Sequence, residues 1–142
     1  MTATLTIERF MTPSPLTIGV EQPLAMAHRM MNEHQVRHLP VLHDGTVVGV
    51  VSHRDLALIE TLPGVDPECV TVEQAMSADP YVVTPTTKLA RVARTMAARK
   101  YGCCVVAYRG HVVGIFTTVD GMSALAGLLE PRPSLSRPAA PR

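Results

Sequence analysis

The feature that most restricts the fold of this chain is a match to itself. Set at an offset of 65 residues, the segment Thr6 to Asp55 aligns without a gap on Thr71 to Asp120. Met11, Pro15, Leu24, Ala25, Arg29, Met31, Val41, Gly45, Val47, Val48, Gly49 and Asp55 meet identical residues in the second copy, as do Thr6 and Glu8. These fourteen identities in fifty positions compare with roughly three expected from average residue usage. An internal duplication is the economical explanation. A unit of about 60 residues buries too little of its surface to be comfortable alone, so the two copies are expected to share a core.

Each copy carries the same succession of local signals. A short extended segment follows Pro15 (Leu16, Thr17, Ile18) or Pro80 (Tyr81, Val82, Val83), as expected of a strand bounded by a breaker. Leu24, Ala27 and Met31, and then Leu89, Val92 and Met96, recur at three- and four-residue spacing. That spacing predicts one apolar helix face in each copy, packed into the core. Two β-rich runs follow, Leu39 to Leu42 and Val47 to Val51, separated by Asp44-Gly45. Asp and Gly tolerate the positive φ that a type I′ hairpin turn requires at both central positions. The second copy repeats the plan with Val105 to Ala107, Arg109-Gly110 and Val112 to Phe116, although Arg is a poorer turn residue. A last helix is expected to start near His53 and near Thr118.

The unit is therefore β-α-β-β-α, present twice, and the fold class is α/β (α+β). The expected organisation is repeat 1 at 6–62, a linker at 63–70 broken by Pro63, Gly64 and Pro67, repeat 2 at 71–128, and a tail at 131–142. The tail is rich in Pro and Arg and has too few apolar residues to bury a face.

Composition narrows the function. The longest apolar run, Cys103 to Tyr108, is far shorter than the ~20 residues of a membrane helix, so no membrane partner is expected. Met1 to Phe10 has no basic stretch leading into an apolar one, so no secretory signal is visible and the cytoplasm is the default compartment. Residues 1–130 hold ten basic and twelve acidic side chains with five aromatics, unlike the basic, base-stacking surface of a nucleic-acid binder. Cys69, Cys103 and Cys104 suit neither a disulfide framework nor a paired metal site and are expected to be reduced.

The sharpest repeated motif is Gly-apolar-apolar-Ser/Thr-x-x-Asp: Gly49-Val50-Val51-Ser52-His53-Arg54-Asp55 and Gly114-Ile115-Phe116-Thr117-Thr118-Val119-Asp120. Each stands where a strand passes into a helix. Ser or Thr three residues before an acid is also the pattern of a capping box. A helix N-terminus nevertheless offers free N–H groups, and a hydroxyl beside a carboxylate can both donate to and accept from a vicinal diol such as ribose. The glycine is expected to let a flat base approach the strand.

These motifs, with Met11-Thr12-Pro13, Met76-Ser77-Ala78 and Val36-Arg37-His38-Leu39-Pro40-Val41, resemble the cystathionine-β-synthase (CBS) domain, which occurs in tandem pairs called Bateman modules. The resemblance spans residues ~6 to 125. It implies that the copies pack sheet to sheet about a pseudo-twofold axis and leave two clefts that often receive adenosine nucleotides. Position by position, it implies that Ser52 and Asp55 hold ribose, with Val50 beside adenine and Val83, Thr84 and Tyr101 contributed by the other copy. Thr117 and Asp120 would serve the second cleft with Ile115, Ile18 and Val36, and with Arg37 as a further candidate there. Arg37, His38 and Arg54 would meet phosphate. The second copy has Gly102, Cys103 and Val119 at those places, and Val105 where the first has Pro40, so the clefts are expected to differ. Charge-assisted bonds to Arg favour AMP, ADP or ATP in the Ser52/Asp55 cleft, with S-adenosylmethionine as a further candidate.

The expected function is a stand-alone regulatory pair that performs no catalysis, forms a homodimer, and signals nucleotide occupancy, and so energy state, to a separate effector protein. Two alternatives stand beside it. One is a structural dimerisation module whose motifs only cap helices. The other is a metal- or redox-responsive sensor using His34, His38 or the Cys103-Cys104 pair; Pro40 disfavours a helix that would align the two histidines.

Overall fold

The computed structural model describes residues 4–130; the tail lies outside that range. In the first copy, β1 (Thr12–Pro13) and β2 (Ile18–Gly19) precede α1 (Leu24–His34), the hairpin β3 (His38–His43) and β4 (Thr46–Ser52), and α2 (His53–Glu60). The second copy contributes α3 (Val72–Ala75), β5 (Ser77–Ala78), β6 (Val82–Val83), α4 (Leu89–Arg99), β7 (Cys103–Tyr108), β8 (His111–Thr117) and α5 (Thr118–Leu129). A 3₁₀ turn at Ile7–Arg9 in the first copy occupies the place of α3. The result is an α/β fold, as expected.

The helix faces follow the sequence spacing: Leu24, Ala27 and Met31, and Leu89, Val92 and Met96, are all buried. Both hairpins turn through positive φ at two residues, Asp44 (51°) with Gly45 (79°) and Arg109 (52°) with Gly110 (83°). Arg109 thus adopts the conformation its aspartate counterpart adopts more easily. Each first helix ends on a residue in the left-handed region, Gln35 or Lys100.

The strands form two sheets, ordered β2-β3-β4-β5 and β1-β8-β7-β6. Each sheet therefore takes its last strand from the other copy. β5 pairs antiparallel with β4, Ser77 opposite Val50 and Ala78 opposite Gly49. β1 pairs antiparallel with β8, Thr12 opposite Ile115 and Pro13 opposite Gly114. The exchange extends into the cores, because Ile7 packs with Phe116, Met96 and Cys104, while Val72 packs with Leu24, Met31 and Leu39. Neither sheet is complete without a segment of the other copy.

This exchange corrects the expected role of the glycines. A Cβ built on Gly49 would lie 2.8 Å from the Ser77 carbonyl oxygen and would collide with the Met76 side chain. On Gly114 it would collide with Met11. The space beside each glycine is filled from the other copy, by Met76 and the Ser77 carbonyl or by Met11, each methionine being the residue before an exchanged strand, and is not open to a base.

Candidate functional site

Strand β4 ends at Ser52, which is the N-cap of α2, and β8 ends at Thr117, the N-cap of α5. Both aspartates turn back to their own helix starts. Asp55 Oδ2 accepts from the Ser52 backbone N–H at 2.8 Å, while the Asp55 N–H donates to Ser52 Oγ at 3.1 Å. The Thr117 N–H donates to Asp120 Oδ2 at 2.9 Å, and the Asp120 N–H to Thr117 Oγ1 at 3.3 Å. Each motif is a true capping box, which accounts for Ser/Thr and Asp at this spacing by itself.

Beside the first box lies a cleft of about 650 Å³ between the copies, within the range of small-molecule sites. The first copy supplies Arg37, His38, Val50, Ser52, His53, Arg54 and Asp55 to its walls. The second supplies the Ser77–Tyr81 segment and Lys100, Tyr101, Gly102 and Cys103. The structure thus gathers Val50, Ser52, Arg54, Asp55, Arg37, His38 and Tyr101 into one place. Val83 and Thr84 are not among the lining residues; Val83 packs against the second core and Thr84 faces solvent. Of the residues expected at the second cleft, Ile18 is buried in the first core with Val36 packed against it, and Ile115 is buried.

Several lining residues escaped the sequence reading. Lys100 reaches the cleft because the left-handed cap that ends α4 turns the chain there. Tyr81 stands with its ring centroid 5.5 Å from that of Tyr101, the planes inclined at 35°, which makes an aromatic wall. Ser77–Pro80 arrive through the strand exchange. The adjacency of Lys100 to Tyr101 was the available signal for the lysine; nothing local marked the others.

Electrostatically the cleft is basic, with Arg37, Arg54 and Lys100 facing two carboxylates, Asp55 and Asp79. Burial lowers the His38 pKa below its usual 6.5, opposed by the Asp55 carboxylate and reinforced by Arg37. The imidazole is therefore mainly neutral at pH 7. Burial also pushes the Cys103 and Cys104 thiols up to about 12, far from the thiolate that redox chemistry requires. Among the described residues, no group of three or more His, Cys, Asp or Glu side chains is placed to hold a metal, and no helix is long and apolar enough to cross a membrane.

Two β-α-β-β-α units that exchange edge strands and enclose a cleft between them define a tandem-repeat module. The CBS domain model matches residues 7–59 and 72–127, and the chain belongs to the CBS-domain family. It is similar to a CBS domain-containing protein of Dictyostelium discoideum, at 26% identity over 142 residues, covering 92% of this chain and 97% of that one. It is 29% identical over 114 residues to an inosine-5'-monophosphate dehydrogenase of Korarchaeum cryptofilum, covering 80% of this chain but only 23% of the enzyme. Among solved structures, the crystal structure of CBSX2 in complex with AMP superposes with a TM-score of 0.78 at 27% identity, covering 89% of this chain and 99% of that one.

Proposed function

We propose that the cleft beside Asp55 binds an adenosine nucleotide carrying phosphate, AMP, ADP or ATP, and that the protein is a regulatory module acting through occupancy of this cleft. The observation that carries the reading is the unequal use of Asp55. Its Oδ2 is engaged in the cap, while among the described residues no protein group donates to Oδ1. A free carboxylate oxygen beside the Ser52 hydroxyl suits a ribose diol. The Tyr81–Tyr101 wall suits a base, and Arg37, Arg54 and Lys100 suit phosphate. The AMP complex of CBSX2 supports the ligand class.

The cleft walls come from different copies, so a bound nucleotide bridges them and favours whichever packing of the halves it fits better. Such a module regulates by coupling that preference to another protein, with no chemistry of its own. Val119, Met122, Leu125, Leu128 and Leu129 on α5, with Leu58 on α2, are exposed. They supply an apolar helical face through which two copies form a homodimer, and the effector is a separate chain.

The capping boxes favour one competing reading, a dimerisation module with no ligand. Calorimetric titration of the full chain with AMP, ATP and S-adenosylmethionine decides between them. The nucleotides should bind more tightly than the sulfonium compound, and Asp55→Asn should weaken them by about 10-fold, the loss of one charged hydrogen bond. Absence of binding across the panel would leave the structural reading in possession.

A further inference from the structure

The two capping boxes differ in what they leave over for a ligand. In the first, the Ser52 hydroxyl accepts from the Asp55 N–H at 3.1 Å and donates to no protein group among the described residues, and Asp55 Oδ1 is equally free. One donor and one acceptor remain, which is what a diol requires. In the second, Thr117 Oγ1 lies 3.2 Å from Asp120 Oδ2 and spends its hydrogen there. The Thr12 hydroxyl donates to Asp120 Oδ1 at 3.0 Å. Neither group is left over.

We infer that Thr12 is a built-in occupant of the second box, so that Asp120 fastens the exchanged strand β1 to α5 and each chain binds one nucleotide, at Asp55. The single-ligand part of this inference rests on the reading of the cleft given above; the fastening does not. Thr12 and Ser77 hold equivalent places, opposite Ile115 and Val50 in their respective sheets. The branched Cβ of threonine restricts its χ1, whereas Ser77 is exposed and makes no bond to Asp55 among the described residues. Charge agrees with this assignment. At the second cleft the counterparts of Arg54 and Lys100 are Val119 and Gln35, and only Arg37, the counterpart of Gly102, is cationic, so phosphate meets fewer cations there to replace its lost hydration.

Two measurements on the full chain test the inference. A double-mutant cycle of Thr12→Val with Asp120→Asn, read by urea unfolding, should show a coupling of about 10-fold in the unfolding equilibrium. Ser77→Ala with Asp55→Asn should be additive, and Thr12→Ser, which keeps the hydroxyl but frees its χ1, should keep only part of the coupling to Asp120. Titration with ATP should give one equivalent per chain. Asp120→Asn should leave the affinity within about 2-fold, while Asp55→Asn reduces it by about 10-fold. An additive Thr12–Asp120 cycle, or two equivalents of nucleotide per wild-type chain, overturns the inference. Coupling in the cycle with no nucleotide bound at all leaves the fastening standing and removes the reading of the cleft.

Discussion

The two halves of the molecule share a backbone almost feature for feature and differ in what hangs from it. Both hairpins have the same two-residue turn and shift register at equivalent places, after Val41 and after Val106. Both first helices end in a left-handed cap. Yet the first half keeps Arg37, His38 and Arg54 where the second has Gly102, Cys103 and Val119. The comparison teaches that duplication preserves geometry even where the residue suits it poorly, as at Arg109, while charge and hydrogen-bonding capacity diverge, and the proposal of one nucleotide per chain rests on that divergence.

The cores show the same divergence in volume. Leu39 stands opposite Val51 in the first sheet, and Cys104 opposite Phe116 in the second; all four are buried. A medium pair has been exchanged for a small residue beside a large one, which keeps the space filled. The largest expected effect follows. Phe116→Ala should cost about 4 kcal/mol of unfolding free energy, and Val51→Ala about 2 kcal/mol, measured by urea titration. Phe116→Val combined with Cys104→Leu, which transplants the first-half pair, should recover most of the loss. Failure of that rescue would show that the halves pack by different rules.

A smaller effect is expected where the halves cross. Gly49→Ala sets a Cβ 2.8 Å from the Ser77 carbonyl oxygen, and the backbone of β5 must shift to admit it. Overpacking of this kind costs about 1 to 3 kcal/mol. Gly45→Ala meets no atom within 4 Å but requires φ near +79°, a cost of about 1 to 2 kcal/mol. Only the first substitution should also weaken nucleotide binding, because it displaces Ser77 at the cleft wall. Equal losses of affinity in both variants would mean that the strand exchange does not shape the cleft.

Much of this architecture is legible from local pattern. The helix faces follow from Leu24, Ala27 and Met31 and their counterparts, the hairpin from Asp44-Gly45, and the helix starts from Ser52 and Thr117, because each signal acts within a few residues. The strand exchange is not legible. β1 and β5 are two residues long, too short for an alternation to show, and their partners lie far away in the chain. The same blindness assigned Gly49 to a ligand and left Lys100, Tyr81 and Ser77 out of the site, since their position depends on how the copies interlock. Ser52 and Asp55 are legible as a motif, but only coordinates reveal that one box keeps a free donor and acceptor while the other does not.

The smallest expected effect is a pH dependence belonging to one half alone. His38 faces Gly102 across the cleft, a Cβ on which would lie 3.2 Å from its Nε2, with Arg37 and Asp55 as its charged neighbours. Its folded pKa is lowered, so between the unfolded value of 6.5 and the lower folded one the unfolded chain binds more protons. Its contribution to stability is complete above the unfolded pKa and declines as pH falls through that window. Replacing it by Gln should flatten this part of a urea-midpoint profile taken from about pH 8 to about pH 5. Cys103, its counterpart, has its pKa near 12, so Cys103→Ser should leave the same stretch of the profile unchanged. An anionic nucleotide seated beside Arg37 would favour the imidazolium and draw the pKa back up. Binding should then take up protons on the acid side of the profile in wild type and lose that uptake in His38→Gln, read from titrations in buffers of different ionisation enthalpy. Uptake that survives the substitution would place the phosphate away from the His38 wall.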